Sequence, residues 1–428
     1  MSRKSAGYLL IGVGLVLAIV SLVVMFVIVP GMKKLPTDVD TTRHYEGTMP
    51  ILLAVSDSGP AILTDLNVRI DRHVKTEEVD GDLALVSENQ KLYRVGDPNA
   101  EDEALKADQL LKEITKYYVL DRKTMEGQMD APDAWKAKID VPREGVSITW
   151  PLDSEKTTYD GWSDDYQHTV KLVFDKEEEH ARAKIDTYLF VSEGSEPISP
   201  KGVELLGLPA SLPKTQLIPA ISAASDASAT EEELADPERM QRKAKVIAVV
   251  GRLPDEVKLD YTYTFEGQYW IEPQTGILID TQKHELRMVK LSEEMLVALE
   301  NALIGLLPEE TQGVLGEDET LNTTFRQEMR QGAISEETRA ALSESISDED
   351  LTKWEEANLG GMASLAALEV PVYDLTYQAT DESVKEAKSD AEDAKNKLNL
   401  FGTTLPVVGN IIGIVLIALG AFFIVRRS

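Results

Sequence analysis

The chain ends in an uncharged apolar run, Leu405–Val425, with the sequence LPVVGNIIGIVLIALGAFFIV. A second uncharged run near the other end, residues 8–29, has the sequence YLLIGVGLVLAIVSLVVMFVIV. At about 1.5 Å of rise per residue, each run forms a helix of roughly 30 Å, which matches the thickness of a bilayer core. Because backbone groups in lipid must be satisfied within the segment, each run is predicted to be a transmembrane helix. The first run is longer than a signal-peptide core of about 7–15 residues, so we expect it to be retained.

Basic residues near the second run predict the orientation of the chain in the membrane. Arg426 and Arg427 lie in the C-terminal tail, residues 426–428, whereas residues 399–404 before the run contain no Lys or Arg. Positively charged flanks stay on the cytoplasmic side, so the C-terminus is predicted to be cytoplasmic. Two spans then place the N-terminal tail, residues 1–7, on the same side and the region between the runs outside.

Small residues in both runs suggest that the two anchors pack together. Gly409 and Gly413 are spaced by four in the second run, and Gly12, Gly14 and Ala18 lie in the first. Such residues allow helices to approach closely in a membrane. The alternative is that glycine is simply common in membrane helices.

Composition limits the classes of function that the chain can have. The net charge is −30, with 74 acidic against 44 basic residues, so we expect no nucleic-acid partner. There is no cysteine, which excludes disulfides, thiolate nucleophiles and Cys-ligated metals. The acidic surface is typical of a well-solvated domain outside the cytoplasm.

Residues 30–290 are predicted to form a β-rich ectodomain outside the membrane. Apolar residues alternate in stretches such as 181–191 and 257–265, and a tight turn at 273–276 joins two strands into a hairpin. Residues 104–116 read as a short helix, and the short apolar run at residues 246–250 reads as a strand. Residues 221–241 are small, polar and acidic and are predicted to be an exposed low-complexity insertion. The pattern predicts an α+β fold with antiparallel sheets arranged as a sandwich or a half-barrel.

The period of the apolar residues changes to that of helices at residue 291. Ser292, Ser335 and Ser347 are suitable N-caps, so residues 291–368 are predicted to be a helical insertion, the last helix closing at Gly360. A returning strand, residues 369–379, and a stalk helix, residues 381–400, lead into the second anchor. The stalk helix carries a narrow apolar seam suited to packing against another helix or, alternatively, an accidental stripe on a solvated helix. The seam consists of Val384, Ala387, Ala391, Ala394 and Leu398.

Residues with catalytic or metal-binding chemistry are sparse. Asp164, Asp165 and His168 in WSDDYQH are the strongest metal candidates, since carboxylates and imidazole bind metals, but a turn entering a strand explains them better. There is no GxSxG, phosphate-binding loop or dinucleotide fingerprint. We therefore predict no metal, no cofactor and no catalytic residues.

Several phrases in the same order resemble one known family. These phrases are KLPTDVDTT, LDRKTMEG, WPLDSEKTTYDGWSD, YTFEGQYWIEPQTGILID and VYDLTYQATDESV. With the two-anchor layout, they resemble the PorA-like membrane proteins of high-GC Gram-positive and related bacteria, a family largely of unknown function. The resemblance implies a two-anchor surface protein and supplies no agreed catalytic residues. The helical insertion is longer than the link usual in the family, and the chain is unusually acidic.

The sequence thus predicts a non-enzymatic, membrane-anchored envelope protein with a large acidic ectodomain. Its role is predicted to be structural, or to be the binding of an envelope partner or a small apolar ligand. Its partners are the bilayer and either an envelope protein or further copies of the chain. The first alternative is a porin or channel formed by oligomerised anchors, because two helices cannot enclose a pore within one chain. The second is a hydrolase without a recognisable motif.

Overall fold

The computed structural model describes residues 3–56, 59–96, 109–217, 219 and 236–425. The predicted tail at 426–428, including Arg426 and Arg427, and residues 221–235 of the low-complexity insertion lie outside them. The strands are β1 (Asp40–Ser56), β2 (Gly59–Asp80), β3 (Leu83–Val95), β4 (Leu110–Asp121), β5 (Glu126–Gly127), β6 (Gly145–Val146), β7 (Tyr159–Ser163), β8 (His168–Glu179), β9 (Asp186–Pro197), β10 (Ser211–Pro213), β11 (Glu256–Ile271), β12 (Leu278–Leu291) and β13 (Val370–Ala379). The helices are α1 (Arg3–Val23), α2 (Val29–Met32), α3 (Pro200–Leu206), α4 (Pro237–Val250), α5 (Glu293–Ile304), α6 (Glu309–Glu317), α7 (Glu319–Gln331), α8 (Glu336–Leu342), α9 (Asp348–Ala366), α10 (Asp381–Asn399) and α11 (Leu405–Val425).

Twelve of these strands form a closed barrel. Strands β1 to β9 pair in sequence, β12 lies between β11 and β13, and β13 returns to pair with β1. The ring closes because β11 pairs with β12 along one edge and with β9 along the other, from Thr262 opposite Pro197 to Ile271 opposite Tyr188. Strand β10 lies outside the ring and continues the β9 edge of β11. All pairings are antiparallel except the short β6–β7 contact.

The closed barrel shows that the predicted sandwich or half-barrel is wrong. Both architectures use amphipathic strands with the same two-residue period, so the sequence pattern does not separate them. Closure depends on the β9–β11 pairing, which joins strands that are separated by about sixty residues of chain. Because β9 and β11 pair with each other, neither of them is an unpaired edge strand along this pairing.

The segments before β11 and between β12 and β13 form a group of packed helices, which we call the helical body. Helices α4 to α9 share one large apolar core that includes Leu299, Phe325 and Met362. The side chains of Ser292, Ser335 and Ser347 cap α5, α8 and α9 as N-caps. These three helices begin where the sequence pattern places them.

Three local predictions from the sequence are wrong. Residues 246–250, predicted as a strand, are the last turns of α4, and their apolar side chains join the helical core. Helix α9 does not end at Gly360 but continues to Ala366. The glycine at 361 serves helix packing instead, since a Cβ at Gly361 would lie 2.7 Å from the Lys245 carbonyl oxygen of α4. Residues 110–116 belong to strand β4 rather than to a helix.

The two ends of the barrel chain lead into the apolar helices. A π-helical segment, Val24–Ile28, joins α1 to α2, and another, Leu400–Thr404, joins α10 to α11. Residues Tyr8–Gly31 and the continuous helix Asp381–Val425 are long and apolar enough to cross a membrane. Because β1 pairs with β13, both helices leave the barrel at neighbouring strands.

Candidate functional site: the barrel lumen and its mouth

Alternate residues of ten barrel strands line a lumen cavity of 280 Å³. On β4 the inward residues are Lys112, Ile114 and Lys116, and on β12 they follow the same two-residue period from Thr281 to Arg287. The inward face of a strand is normally apolar in a packed barrel of this size. Here it carries charged side chains and tyrosines, so the lumen is a polar site rather than an ordinary core.

Glu88 is at the centre of one charged network in the lumen. Its carboxylate accepts hydrogen bonds of 2.9 Å from Arg72 Nε, 3.0 Å from Arg143 Nη1 and 2.9 Å from the Tyr118 hydroxyl. Burial alone raises the pKa of Glu88, but Arg72 and Arg143 outweigh it and hold the pKa well below its usual range. The carboxylate is therefore permanently charged and fully paired, as a buried charge requires.

The neighbouring aspartates at residues 164 and 165 extend this network across the lumen. Asp164 accepts hydrogen bonds from Arg143 Nη2 at 3.1 Å and from Lys116. Asp165 binds Arg287 in bidentate fashion, with distances of 2.7 and 3.1 Å to Nε and Nη2. Bidentate pairs of this kind fix both partners in orientation.

A third group of contacts forms around Glu285. Lys283 Nζ and the Tyr263 hydroxyl donate to Oε1 of Glu285, at 2.6 and 2.7 Å. Burial opposes ionisation, yet Lys283 and Arg287 lower the pKa of Glu285 to about 2. The Arg287 guanidinium also lies 4.2 Å from the ring centre of Tyr373, a cation–π contact.

Lys112 is the lumen cation whose charge is least compensated. Its ammonium donates to the Leu206 carbonyl oxygen at 2.5 Å, and none of its described hydrogen bonds reaches a carboxylate. Burial lowers the pKa of Lys112 to about 8, with Arg287 and Lys116 adding to the effect and Asp165 opposing it. Its positive charge is thus held at an energetic cost.

A second cavity of 650 Å³ lies at the end of the barrel next to the apolar helices, and we call it the mouth. Its wall includes Gly31 of α2, Leu35 from the segment after α2, and Ala394 and Leu398 from α10. The rest of the lining combines an aliphatic wall with nine charged side chains among the described residues. The aliphatic wall includes Val39, Val74, Ile148, Leu152, Ile277, Leu278 and Ile279, and the charged side chains include Arg43, Asp280, Asp390 and Lys397.

The mouth and the lumen meet at a shared wall. Five side chains line both cavities, namely Tyr45, Arg72, Ile148, Leu278 and Thr281. Arg72 crosses this wall, because its Nη2 donates to the Ser147 carbonyl oxygen at 3.1 Å while its Nε binds Glu88. The interior therefore runs from an entrance with an aliphatic wall to a charged chamber.

The metal candidates from the sequence do not come together. Asp164 and Asp165 bind basic side chains in the lumen, whereas His168 is about half exposed and contacts Glu196 at 3.0 Å. In the described part of the chain, no group of three or more His, Asp or Glu side chains is arranged to hold a metal.

The predicted packing residues of the anchors are placed unevenly. A Cβ at Gly14 would lie 2.6 Å from the Gly413 carbonyl oxygen, and a Cβ at Gly413 would lie 3.5 Å from the Ala18 backbone nitrogen. Gly409 faces Ser21 at short range, whereas Gly12 has open space around it. In the stalk helix, the seam meets the barrel rather than a second helix. Val384, Ala387 and Ala391 are buried there, and Ala394 and Leu398 line the mouth.

Sequence reasoning missed the lumen residues themselves. The sequence TQKHELR, residues 281–287, has charged residues at every second position, which is a sign of a strand with a charged face. Both faces of this strand are polar, so the pattern does not show which face points into the barrel. Lys112 and Lys116 were hidden by the helix predicted over 104–116. Alternation identifies the two faces of a strand, but only closure decides which face lies inside.

A closed barrel with a charged lumen and two apolar helices of membrane-spanning length defines a membrane-associated barrel protein. The family model described as Porin PorA matches residues 6–422, so the chain belongs to the PorA porin family and is a membrane protein. No curated protein matches it. Family and closed barrel favour the channel alternative over a purely structural ectodomain.

Proposed function

We propose that the barrel is a passage and holding site for amphipathic molecules, which enter from the membrane through the mouth and reach the lumen. The observation that carries this proposal is the shared wall between the two cavities. An entrance of 650 Å³ with an aliphatic wall, beside two apolar helices, is suited to a hydrocarbon chain with a polar head. The route requires no catalytic step.

The outer surface of the barrel supports a position outside the bilayer. Among described side chains, Val173 is the only large apolar residue of a barrel strand that is strongly exposed. Most of the other exposed large apolar side chains lie in the two apolar helices. A membrane barrel needs an outward apolar band of about 25 Å. We therefore propose that α1 and α11 span the membrane with both termini cytoplasmic, and that the barrel stands outside with its mouth facing the lipid.

The passage is tested by filling the mouth. Ala394 lines the cavity, whereas Asn396 is exposed on the same helix and does not. We expect full-length protein in detergent to bind a fluorescent single-chain lipid, and Ala394→Trp to weaken that binding at least tenfold. Asn396→Trp serves as the matched control and is expected to bind as wild type. The proposal fails if wild type binds no lipid or if Ala394→Trp is unaffected.

A water-filled, ion-conducting pore is the second candidate, favoured by the closed barrel and by the family's description as porins. Salt bridges across the lumen oppose it, since Arg143 links Glu88 to Asp164 across the interior. Conduction across the membrane would also require several copies joined through their anchors. Planar-bilayer recordings of purified protein test this candidate, and the absence of conductance at every oligomeric state would exclude it.

A further inference from the structure

We infer that the barrel lumen contains a binding site for an anionic group, either phosphate or carboxylate. The first observation is charge. Among the described residues, six inward-facing basic and four acidic side chains line the lumen, an excess of two positive charges within a protein of net charge −30. Lys91 also borders the cavity but pairs with Glu113 on the outer face. A buried excess of cations is costly unless an anion offsets it.

The second observation is a set of buried donors without partners. Four of the buried side-chain polar atoms that lack a hydrogen-bond partner belong to residues lining the lumen. They are Arg143 Nε, Ser147 Oγ, Trp150 Nε1 and Thr281 Oγ1. Arg143, Trp150 and Thr281 are at most 4% exposed.

The chemistry of these donors selects the ligand. The Nε–H groups of arginine and tryptophan only donate, and hydroxyl groups of serine and threonine can donate as well. A cation would face N–H groups and ammonium groups, so it has no suitable ligands here. Oxygen atoms of phosphate or carboxylate accept such bonds and gain strength from neighbouring charges.

Lys112 gives the lumen a cation whose described hydrogen bond does not go to a carboxylate. The carboxylates of the lumen are occupied by other bases, and the described hydrogen bond of the Lys112 ammonium goes to a backbone carbonyl. Arg287 and Lys116 lie close enough to disfavour its charge. An anion between these groups would relieve that repulsion.

Two sources of the anionic group are compatible with the cavity. If the proposed passage holds, the group is the head of an amphipathic molecule whose chain occupies the mouth, because both cavities share the wall that contains Thr281. A free anion from solution is the other source. The anion site itself needs only the lumen and does not depend on the mouth.

Binding measurements with three probes distinguish the sources. Full-length protein in non-ionic detergent is titrated with a single-chain lipid phosphate, with a monoacylglycerol of the same chain and with inorganic phosphate. We expect the lipid phosphate to bind at least tenfold more tightly than the neutral lipid. Equal binding of the two lipids together with no binding of phosphate overturns the anion site but leaves the passage intact. Binding of phosphate with neither lipid bound supports the anion site and overturns the passage.

Two variants test the residues named. Lys112→Met is expected to reduce the preference for the anionic lipid to threefold or less, whereas Lys171→Met, on the outside of the barrel and 68% exposed, leaves it unchanged. Thr281 lies at the mouth end of the lumen, about 20 Å along β12 from Arg287. Thr281→Val keeps the shape and removes a donor that has no protein partner, so the affinity should fall several-fold, with no loss of folding, for an anion held at that end. A preference unchanged in both Lys112→Met and Thr281→Val overturns the inference.

Discussion

Arg72 donates a hydrogen bond of 2.9 Å from Nε to Oε1 of Glu88, at the wall between the mouth and the lumen. Through Arg72, which lines both cavities, the contact forms part of their shared wall. It also makes Glu88 the acceptor for two guanidinium groups, since Arg143 binds its other oxygen. The buried pairs of two arginines at this wall thus depend on the same carboxylate.

Removal of the Glu88 charge is expected to destabilise the barrel strongly. Glu88→Gln keeps the shape but leaves Arg72 and Arg143 buried with less compensation, which costs about 3 kcal/mol or more. Urea unfolding followed by tryptophan fluorescence measures the loss. Glu177→Gln breaks a comparable pair with Lys156 that is about half exposed, and should cost less than about 1 kcal/mol. Equal losses in the two variants would contradict the role of the buried network.

Glu285 is expected to govern stability in acid. Its folded pKa of about 2 lies below the ordinary value of 4.5, so the unfolded chain binds more protons between these values. The stabilisation is complete above about pH 4.5 and is lost as the pH falls towards 2. The difference in unfolding free energy between wild type and Glu285→Gln should therefore shrink by roughly 3 kcal/mol over this window. A difference that stays constant with pH would show that the carboxylate is not held by Lys283 and Arg287.

Lys112 is expected to make the stability rise with pH in the alkaline range. Its folded pKa of about 8 lies below the ordinary 10.5, so the unfolded chain binds more protons and the free energy of unfolding rises with pH between these values. Lys112→Met should be more stable than wild type at pH 7 and lose this advantage by pH 10.5. Thermal unfolding at both pH values measures this difference in stability, with Lys171→Met as control. If Lys112→Met is less stable than wild type at pH 7, the buried charge of Lys112 does not destabilise the folded protein.

The two glycines of α1 offer a matched pair for the contact between the apolar helices. A side chain at Gly14 meets the backbone of Gly413, whereas Gly12 has open space. Gly14→Leu should lower the thermal stability of the protein in detergent by an amount typical of overpacking, about 1–3 kcal/mol, and Gly12→Leu should not. The same loss in both variants would indicate that helix packing is not the cause.

Gly360 and Gly361 are expected to respond in opposite directions to alanine. Gly360 has its nearest neighbour, Lys245 Cδ, at 3.5 Å, so Gly360→Ala should stabilise α9 by about 0.5–1 kcal/mol. A Cβ at Gly361 would approach Val249 Cγ2 to 2.6 Å and the Lys245 carbonyl, so Gly361→Ala should destabilise by about 1–3 kcal/mol. Chemical denaturation of both variants gives the sign of each change in the free energy of unfolding. Stabilisation by Gly361→Ala would mean that α4 does not pack there.

Apolar runs and caps were readable in the sequence, because they depend on residues that are close in the chain. The uncharged runs predicted both apolar helices of the structure, and serines 292, 335 and 347 marked the starts of three helices. Residues 246–250 were misread because a short apolar run fits a strand and a buried helix equally well.

The sequence by itself determined two apolar helices, strands with polar and apolar faces, and a helical body with defined caps. Only the tertiary structure decided that the sheet closes into a barrel, because the pairing of β9 with β11 depends on contacts between distant residues. The same closure turned Lys112, Glu88 and Arg287 inward and joined the stalk helix to the mouth. The charged chamber is thus a property of the ring, since no single strand specifies which of its two faces becomes the inside.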